Sequence, residues 1–243
     1  MSEFGDTGRN AKLDELVLTL WHARRTPRRV EAVNLSEFQA YYVMGRLLEL
    51  ALDAGEVVIG WKLGLTNRAQ REQMGAAQPF LAPVFASSLE PPSLRQLHAP
   101  RLEVEFVGKV ATGATSVIGS WNIGIEIVDT HIPGPLAYPV VVADWGLHAA
   151  ASIGSTCSAP VPGQRVPVVI TTPVDLVQLE GAVPEPVDLE ALLEAATVGW
   201  PRRVADGDLL WTGTLGQPLP ITHPGRMSAE VNGFGTAELL FLE

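Results

Sequence analysis

The chain runs to 243 residues, 47% of them hydrophobic and 18% charged, which is enough apolar material for a sizeable core and rules out wholesale disorder. A formal net charge of −10 excludes the basic face that a nucleic-acid binder needs and argues equally against adsorption to an anionic membrane. No apolar run approaches the roughly 20 residues of a membrane-spanning helix. The start lacks a secretory pattern and Cys157 has no second cysteine to pair with, so a cytoplasmic protein is expected.

Leu13, Leu16, Val17 and Leu20 recur at helical spacing and predict a first helix over 13–25. The arginine-rich stretch 26–34, broken by Pro27, reads as a connector. Ser36 predicts the N-cap of a second helix over 37–54, with Phe38, Tyr41, Tyr42, Leu47, Leu48 and Leu50 as its apolar stripe and Gly55 as its stop. Neither helix carries evident chemistry. From Val57 the texture changes to short apolar runs cut by proline and glycine. These predict strands over 57–63, 101–110, 122–128, 138–143, 166–170, 175–179, 208–212 and 237–241, with short helices at 67–74 and 188–197. The expected class is α+β: an N-terminal helical segment, 1–55, and a mixed β catalytic domain, 56–243, forming one compact unit.

Four stretches carry candidate chemistry. In Arg101-Leu102-Glu103-Val104-Glu105-Phe106, residues two apart on a strand share a face, so Glu103 and Glu105 point one way and Leu102, Val104 and Phe106 the other. A lone Glu-x-Glu is more often a solvated outer face, and a metal needs further ligands. Glu126, set in Ile125-Glu126-Ile127-Val128, offers one, although an exposed strand position or an arginine partner would equally explain it. Three carboxylates suit a hard divalent ion, Mg2+ or Mn2+, and the absence of clustered thiolates disfavours a closed zinc site.

Gly60-Trp61-Lys62-Leu63-Gly64-Leu65-Thr66 sets one of the chain's few lysines on an apolar strand between glycines. Buried there, Lys62 would have a lowered pKa and could move protons; a lysine snorkelling to the surface is the commoner alternative. Gly207-Asp208-Leu209-Leu210-Trp211-Thr212-Gly213 is a turn feeding a strand whose hydroxyls and backbone N–H groups could hold a carboxylate; on its own it is an ordinary strand and turn.

Taken in order, these stretches resemble the fumarylacetoacetate hydrolase superfamily, in its 2-oxopent-4-enoate hydratase / 4-oxalocrotonate decarboxylase branch. The matching segments are 60–66 with Arg71-Glu72-Gln73-Met74-Gly75, then 100–106, 125–130, Val142-Ala143-Asp144 and 207–213, and the likeness runs from about Leu13 to the end. The resemblance implies helices followed by a mostly β, partly rolled sheet or barrel. It implies a divalent metal on Glu103, Glu105 and Glu126, Lys62 as the catalytic acid/base or orienting group, and Thr66, Phe80, Asp144, Thr212 and Gly213 against the substrate. The substrate would be a small 2-oxo or 2-hydroxy-dienoic acid of the kind met in aromatic catabolism, chelated through its carboxylate and 2-oxygen, and the protein a homo-oligomer.

Three departures bear on the activity. The link from Glu105 to Glu126 is shorter than in relatives, which predicts a trimmed loop. Trp145, Gly146, Leu147 and His148 follow Asp144 where relatives carry asparagine and small residues. Phe80 stands after Pro79 where hydratases often carry an aspartate that helps activate water. The expected activity is that of a lyase, a hydratase first. The alternatives are decarboxylation of a 4-oxalocrotonate-like diacid, carbon–carbon hydrolysis of an acylpyruvate, for which no His–Glu pair is apparent, and a catalytically silent subunit.

Overall fold

The computed structural model describes residues 7–111, 117–184 and 200–243. The helix expected at 188–197 and the short link 112–116 lie outside the described residues.

Helix α1 (Thr7–Ala23) and helix α2 (Glu37–Asp53) open the chain. Ser36 caps α2 in a reciprocal capping box with Gln39, which answers two of the N–H groups that a helix start leaves without partners. The buried face of α2 is Ala40, Val43, Met44, Leu47, Leu48 and Ala51. Phe38, expected in the apolar stripe, is 80% exposed at the first turn. It sits beside the 40-44-47-51 face rather than on it.

Strand β1 (Val58–Gly64), helix α3 (Arg68–Met74) and strand β2 (Phe80–Phe85) follow. Asn67 caps α3, and Gly75 ends it at φ 69°, a left-handed cap that glycine adopts without a Cβ clash. Then come β3 (Arg101–Ala111), β4 (Val117–Val128), helix α4 (Tyr138–Ala143) and β5 (His148–Cys157). The remaining described elements are strands: β6 (Arg165–Thr171), β7 (Leu176–Ala182), β8 (Leu209–Thr214), β9 (Leu219–Pro220), β10 (Gly225–Val231) and β11 (Gly235–Phe241). The α+β class is borne out.

One expected strand is a helix. The β-branched run Val140-Val141-Val142 suggests a strand at 138–143, yet this segment is α4. Pro139 in its first turn presets a helical φ, and the valines bury against other elements instead of pairing in a sheet. Strand β2 was not expected because Pro83 interrupts it; as a sheet edge it tolerates a residue that cannot donate. Strands β5 and β10 were also not expected, their small residues and glycines weakening the alternation.

Seven strands make one sheet, in order β2-β1-β8-β3-β4-β5 with β9 beside β3, and β11-β10-β6-β7 make a second. Among the paired strands of the described residues, β1 and β8 run parallel and the rest antiparallel. One face of β3 and β4, carrying Leu102, Val104, Phe106, Ile123, Ile125 and Ile127, packs against Val166, Val168, Met227, Leu239 and Phe241 of the second sheet. Helices α1, α2 and α4 share a separate core with β1 and β2. The glutamates of β3 and β4 lie on the other face of their strands, away from the second sheet.

The large sheet is open at β2 and β5 but strongly curled. Three strand spacings put β1 and β4 about 14 Å apart in a flat sheet. An extended lysine and glutamate could bridge that together only by lying flat along the sheet, whereas strand side chains stand roughly perpendicular to it. Lys62 of β1 nevertheless lies 2.7 Å from Glu126 of β4. The roll predicted from the resemblance is therefore what closes the site.

Candidate metal centre

Register brings the three glutamates together. Glu103 pairs directly across from Glu126, and Glu105 across from Gly124. Each of the three offers a carboxylate oxygen within 4.8 Å of the others. Glu105 and Glu126 are fully buried and Glu103 is half-buried, so the solvated-face alternative does not hold. Gly124, opposite Glu105, leaves room for Val107, whose Cγ2 would lie 2.4 Å from a Cβ there.

The carboxylates differ in what answers them. Oε1 of Glu126 accepts from Nζ of Lys62 at 2.7 Å and from Nδ1 of His148 at 2.8 Å, whereas Oε2 is buried with no partner. Oε2 of Glu105 accepts the Gly213 backbone N–H at 2.8 Å. Burial, reinforced by Glu126 and Glu103, pushes the Glu105 carboxyl well above the usual range. Desolvation pushes Glu103 up to about 7, against the pull of Lys62. Burial also acts on Glu126, but Lys62 and His148 outweigh it and hold that carboxyl low. Two carboxylates resisting ionisation beside a third with an unanswered oxygen form a donor set that fits a hard divalent cation.

Lys62 is buried, as one sequence alternative had it, but its pKa moves the other way from the expectation. Burial lowers it, and Glu126, Glu103 and Glu105 together overcome that and raise it. Its ammonium also donates to the Gly146 carbonyl at 2.9 Å. That carbonyl sits in a turn where Trp145, Gly146 and Leu147 take φ of 51°, 63° and 64°. Left-handed backbone at a non-glycine residue costs roughly 1–2 kcal/mol, so packing must hold the turn. Trp145 is buried against Phe85, with ring centroids 4.9 Å apart.

The five residues expected at the substrate take different places. Thr66 and Gly213 converge, since a Cβ on Gly213 would fall 2.0 Å from Oγ1 of Thr66. Phe80 lies over Gly64 and Gly146, where added Cβ atoms would meet its ring at 2.2 and 3.0 Å. The Thr212 hydroxyl donates to the Phe106 carbonyl at 3.0 Å and ties β8 to β3. Asp144 is fully buried and already engaged. Arg24 donates to Oδ1 at 2.7 Å, and the His131 backbone N–H donates to Oδ2 at 3.0 Å, with the His131 ring 3.1 Å from both oxygens.

Sequence reading missed Arg24 and left the partner of His148 open. Arg24, from a helix credited with no chemistry, reaches the site across 120 residues. His148, noted in the sequence as a departure, meets Glu126 of the acidic trio from twenty-two positions away. A helix followed by consecutive arginines in a chain of net charge −10 was the signal available for Arg24.

No family model matches the chain. A 2-keto-4-pentenoate hydratase of Burkholderia vietnamiensis is 26% identical over 238 residues, covering 84% of this chain and 86% of its own. A second enzyme of that name, from Paraburkholderia phymatum, is 25% identical with the same coverage. The solved 4-oxalocrotonate decarboxylase of Pseudomonas putida G7, complexed with magnesium and adipate, superposes over 94% of this chain and 98% of its own, with a TM-score of 0.78 and 20% identity. Over most of its length the chain is similar to these two hydratases, and its fold is that of the solved decarboxylase. Over part of the chain the likeness is higher: a 2-hydroxypent-2,4-dienoate hydratase of Pseudomonas putida is 36% identical across 86 residues, 33% of this chain and 39% of the relative. No helix among the described residues is long and apolar enough to cross a membrane.

Proposed function

We propose that the protein is a divalent-metal-dependent lyase that hydrates a short 2-hydroxy-dienoic acid. The observation that carries this reading is the convergence of Glu103, Glu105 and Glu126 around buried Lys62, with one glutamate oxygen left unanswered. These three glutamates would hold Mg2+ or Mn2+, which supplies Lewis acidity to the carboxylate and 2-oxygen of a bound 2-oxo or 2-hydroxy acid.

The chain's own residues account for the rest. Lys62 Nζ keeps its proton because the glutamates outweigh burial, so it orients an anionic substrate and holds the proton that tautomerisation between the 2-oxygen and the carbon chain requires. The Gly213 N–H fixes the Glu105 carboxylate. Thr66, against Gly213, places a hydroxyl for the substrate carboxylate. Phe80 leaves no acid to activate water, and His148 takes that place. Glu126 stays ionised, so Nδ1 of His148 donates to it. Burial keeps the imidazole below its ordinary pKa, leaving Nε2 as a lone pair with no partner.

Decarboxylation is the second reading, favoured by Phe80: an apolar ring beside Lys62 keeps water from the reacting carbons. Protein loaded with Mg2+ or Mn2+ should be incubated with 2-hydroxypenta-2,4-dienoate and, separately, with a 4-oxalocrotonate-like diacid, following ultraviolet loss and CO2 release. Hydration without CO2 release is expected, reduced roughly 10²- to 10³-fold in Glu105→Gln and slowed about 10²-fold or more in His148→Ala. CO2 release from the diacid with no hydration would replace the first reading by the second. No turnover of either substrate would refute both.

A further inference from the structure

We infer that Arg24 is the positioning residue of the site, acting through the left-handed turn that receives Lys62. The inference rests on Lys62 being the proton-handling group proposed above.

Arg24 closes α1 and holds both ends of that turn. At the near end its Nη1 donates to Asp144 Oδ1 at 2.7 Å and to the Asp144 carbonyl at 3.3 Å. At the far end its Nη2 donates to the His148 carbonyl. Between these ends the guanidinium lies 4.3 Å from the centroid of the Trp145 ring. One planar fork thus spans residues 144 to 148, and the middle of the spanned segment is Gly146, whose carbonyl accepts from Lys62 Nζ.

The strain says what the fork is for. Trp145 and Leu147 occupy left-handed backbone beside Gly146, a conformation that non-glycine residues leave unless the surroundings over-determine it. Extended backbone at either residue would swing the Gly146 carbonyl and release Lys62 from one of its two anchors. Lysine cannot replace arginine here, since one ammonium cannot serve both the Asp144 carboxylate and the His148 carbonyl with fixed geometry. Asp144 and His131 complete the support from below: Arg24 neutralises a carboxylate that otherwise lies buried with only the His131 contacts.

A structural residue and a positioning residue differ in what they move. Arg24→Lys preserves the charge beside Asp144 and is the variant to measure first, in metal-loaded enzyme at a temperature where circular dichroism is native. We expect kcat to fall roughly 10- to 100-fold, the range for losing an outer partner of a metal-site group, while KM changes less than about threefold because substrate chelation is untouched. In a Lys62→Met background the same change should cost nothing further, since Arg24 acts through Lys62.

A fall in melting temperature with unchanged kcat, or an equal loss in both backgrounds, overturns the inference. A crystal structure of Arg24→Lys reads the claim without turnover: Lys62 Nζ should part from the Gly146 oxygen and the 145–147 turn should leave positive φ. An unchanged turn overturns the inference even if the enzyme is active. If wild type turns over none of the acids tested, the functional reading fails while this structural arm still decides the role of Arg24.

Discussion

Two buried acidic centres stand side by side in this molecule and are answered in opposite ways. At Asp144 both carboxylate oxygens have partners, from Arg24 and from the backbone and ring of His131. Burial raises its pKa, but His131 and Arg24 prevail and hold it low. At the glutamate trio, three carboxylates share one lysine, two have raised pKa values, and Oε2 of Glu126 has no partner. A closed ion pair is framework. An open set of converging oxygens could hold a cation, because an uncompensated buried charge is costly.

This contrast is broken most severely at Asp144. Asp144→Ala should cost about 3–5 kcal/mol of stability in urea denaturation, because Arg24 is left buried without its carboxylate. A loss under about 1 kcal/mol would show that the pair is not framework. Glu105→Gln should do the reverse, leaving the metal-free protein as stable as wild type or more so, since it removes a repelling charge. Turnover should fall roughly 10²- to 10³-fold as Lewis-acid stabilisation is lost. Retained turnover would remove Glu105 from the site.

Smaller effects follow from ligand and proton linkage. Saturating Mg2+ or Mn2+ at a hundred times its Kd should raise stability by about 2.7 kcal/mol, and this gain should vanish in Glu126→Gln. The smallest effect concerns pH. The folded-state pKa values of Glu103, about 7, and of Glu105 lie above those of the unfolded chain. Their contribution is therefore present at acid pH and is lost as pH rises through the folded values. Metal-free protein should lose about 1 kcal/mol or more between pH 6 and pH 8, a slope that bound metal suppresses. Equal slopes with and without metal would mean that the glutamates are not the ligands.

Much of this was legible in sequence because it depends on short-range periodicity. The two-residue period of strands put Glu103 and Glu105 on one face, whereas the burial of Glu126 was left open by its apolar flanks and is settled by the fold. The Ser36 N-cap of α2 was readable for the same reason. What escaped depends on contacts far along the chain or on backbone that residue type does not announce. Arg24 meets Asp144 across 120 residues. Trp145 and Leu147 carry no mark of left-handed φ, since neither is glycine or asparagine. The rise in the Lys62 pKa could not be read from β1 alone, because the charges that reverse the effect of burial come from β3 and β4. The valines of α4 misled for a related reason, their burial being set by packing against other elements and not by strand pairing.

Anomalous diffraction from a crystal grown with manganese tests the central claim most directly. One manganese peak should appear between β3 and β4, within about 2.0–2.3 Å of oxygens from Glu103, Glu105 and Glu126. A trio of carboxylates turned away from one another, with manganese bound elsewhere or not at all, would contradict the account.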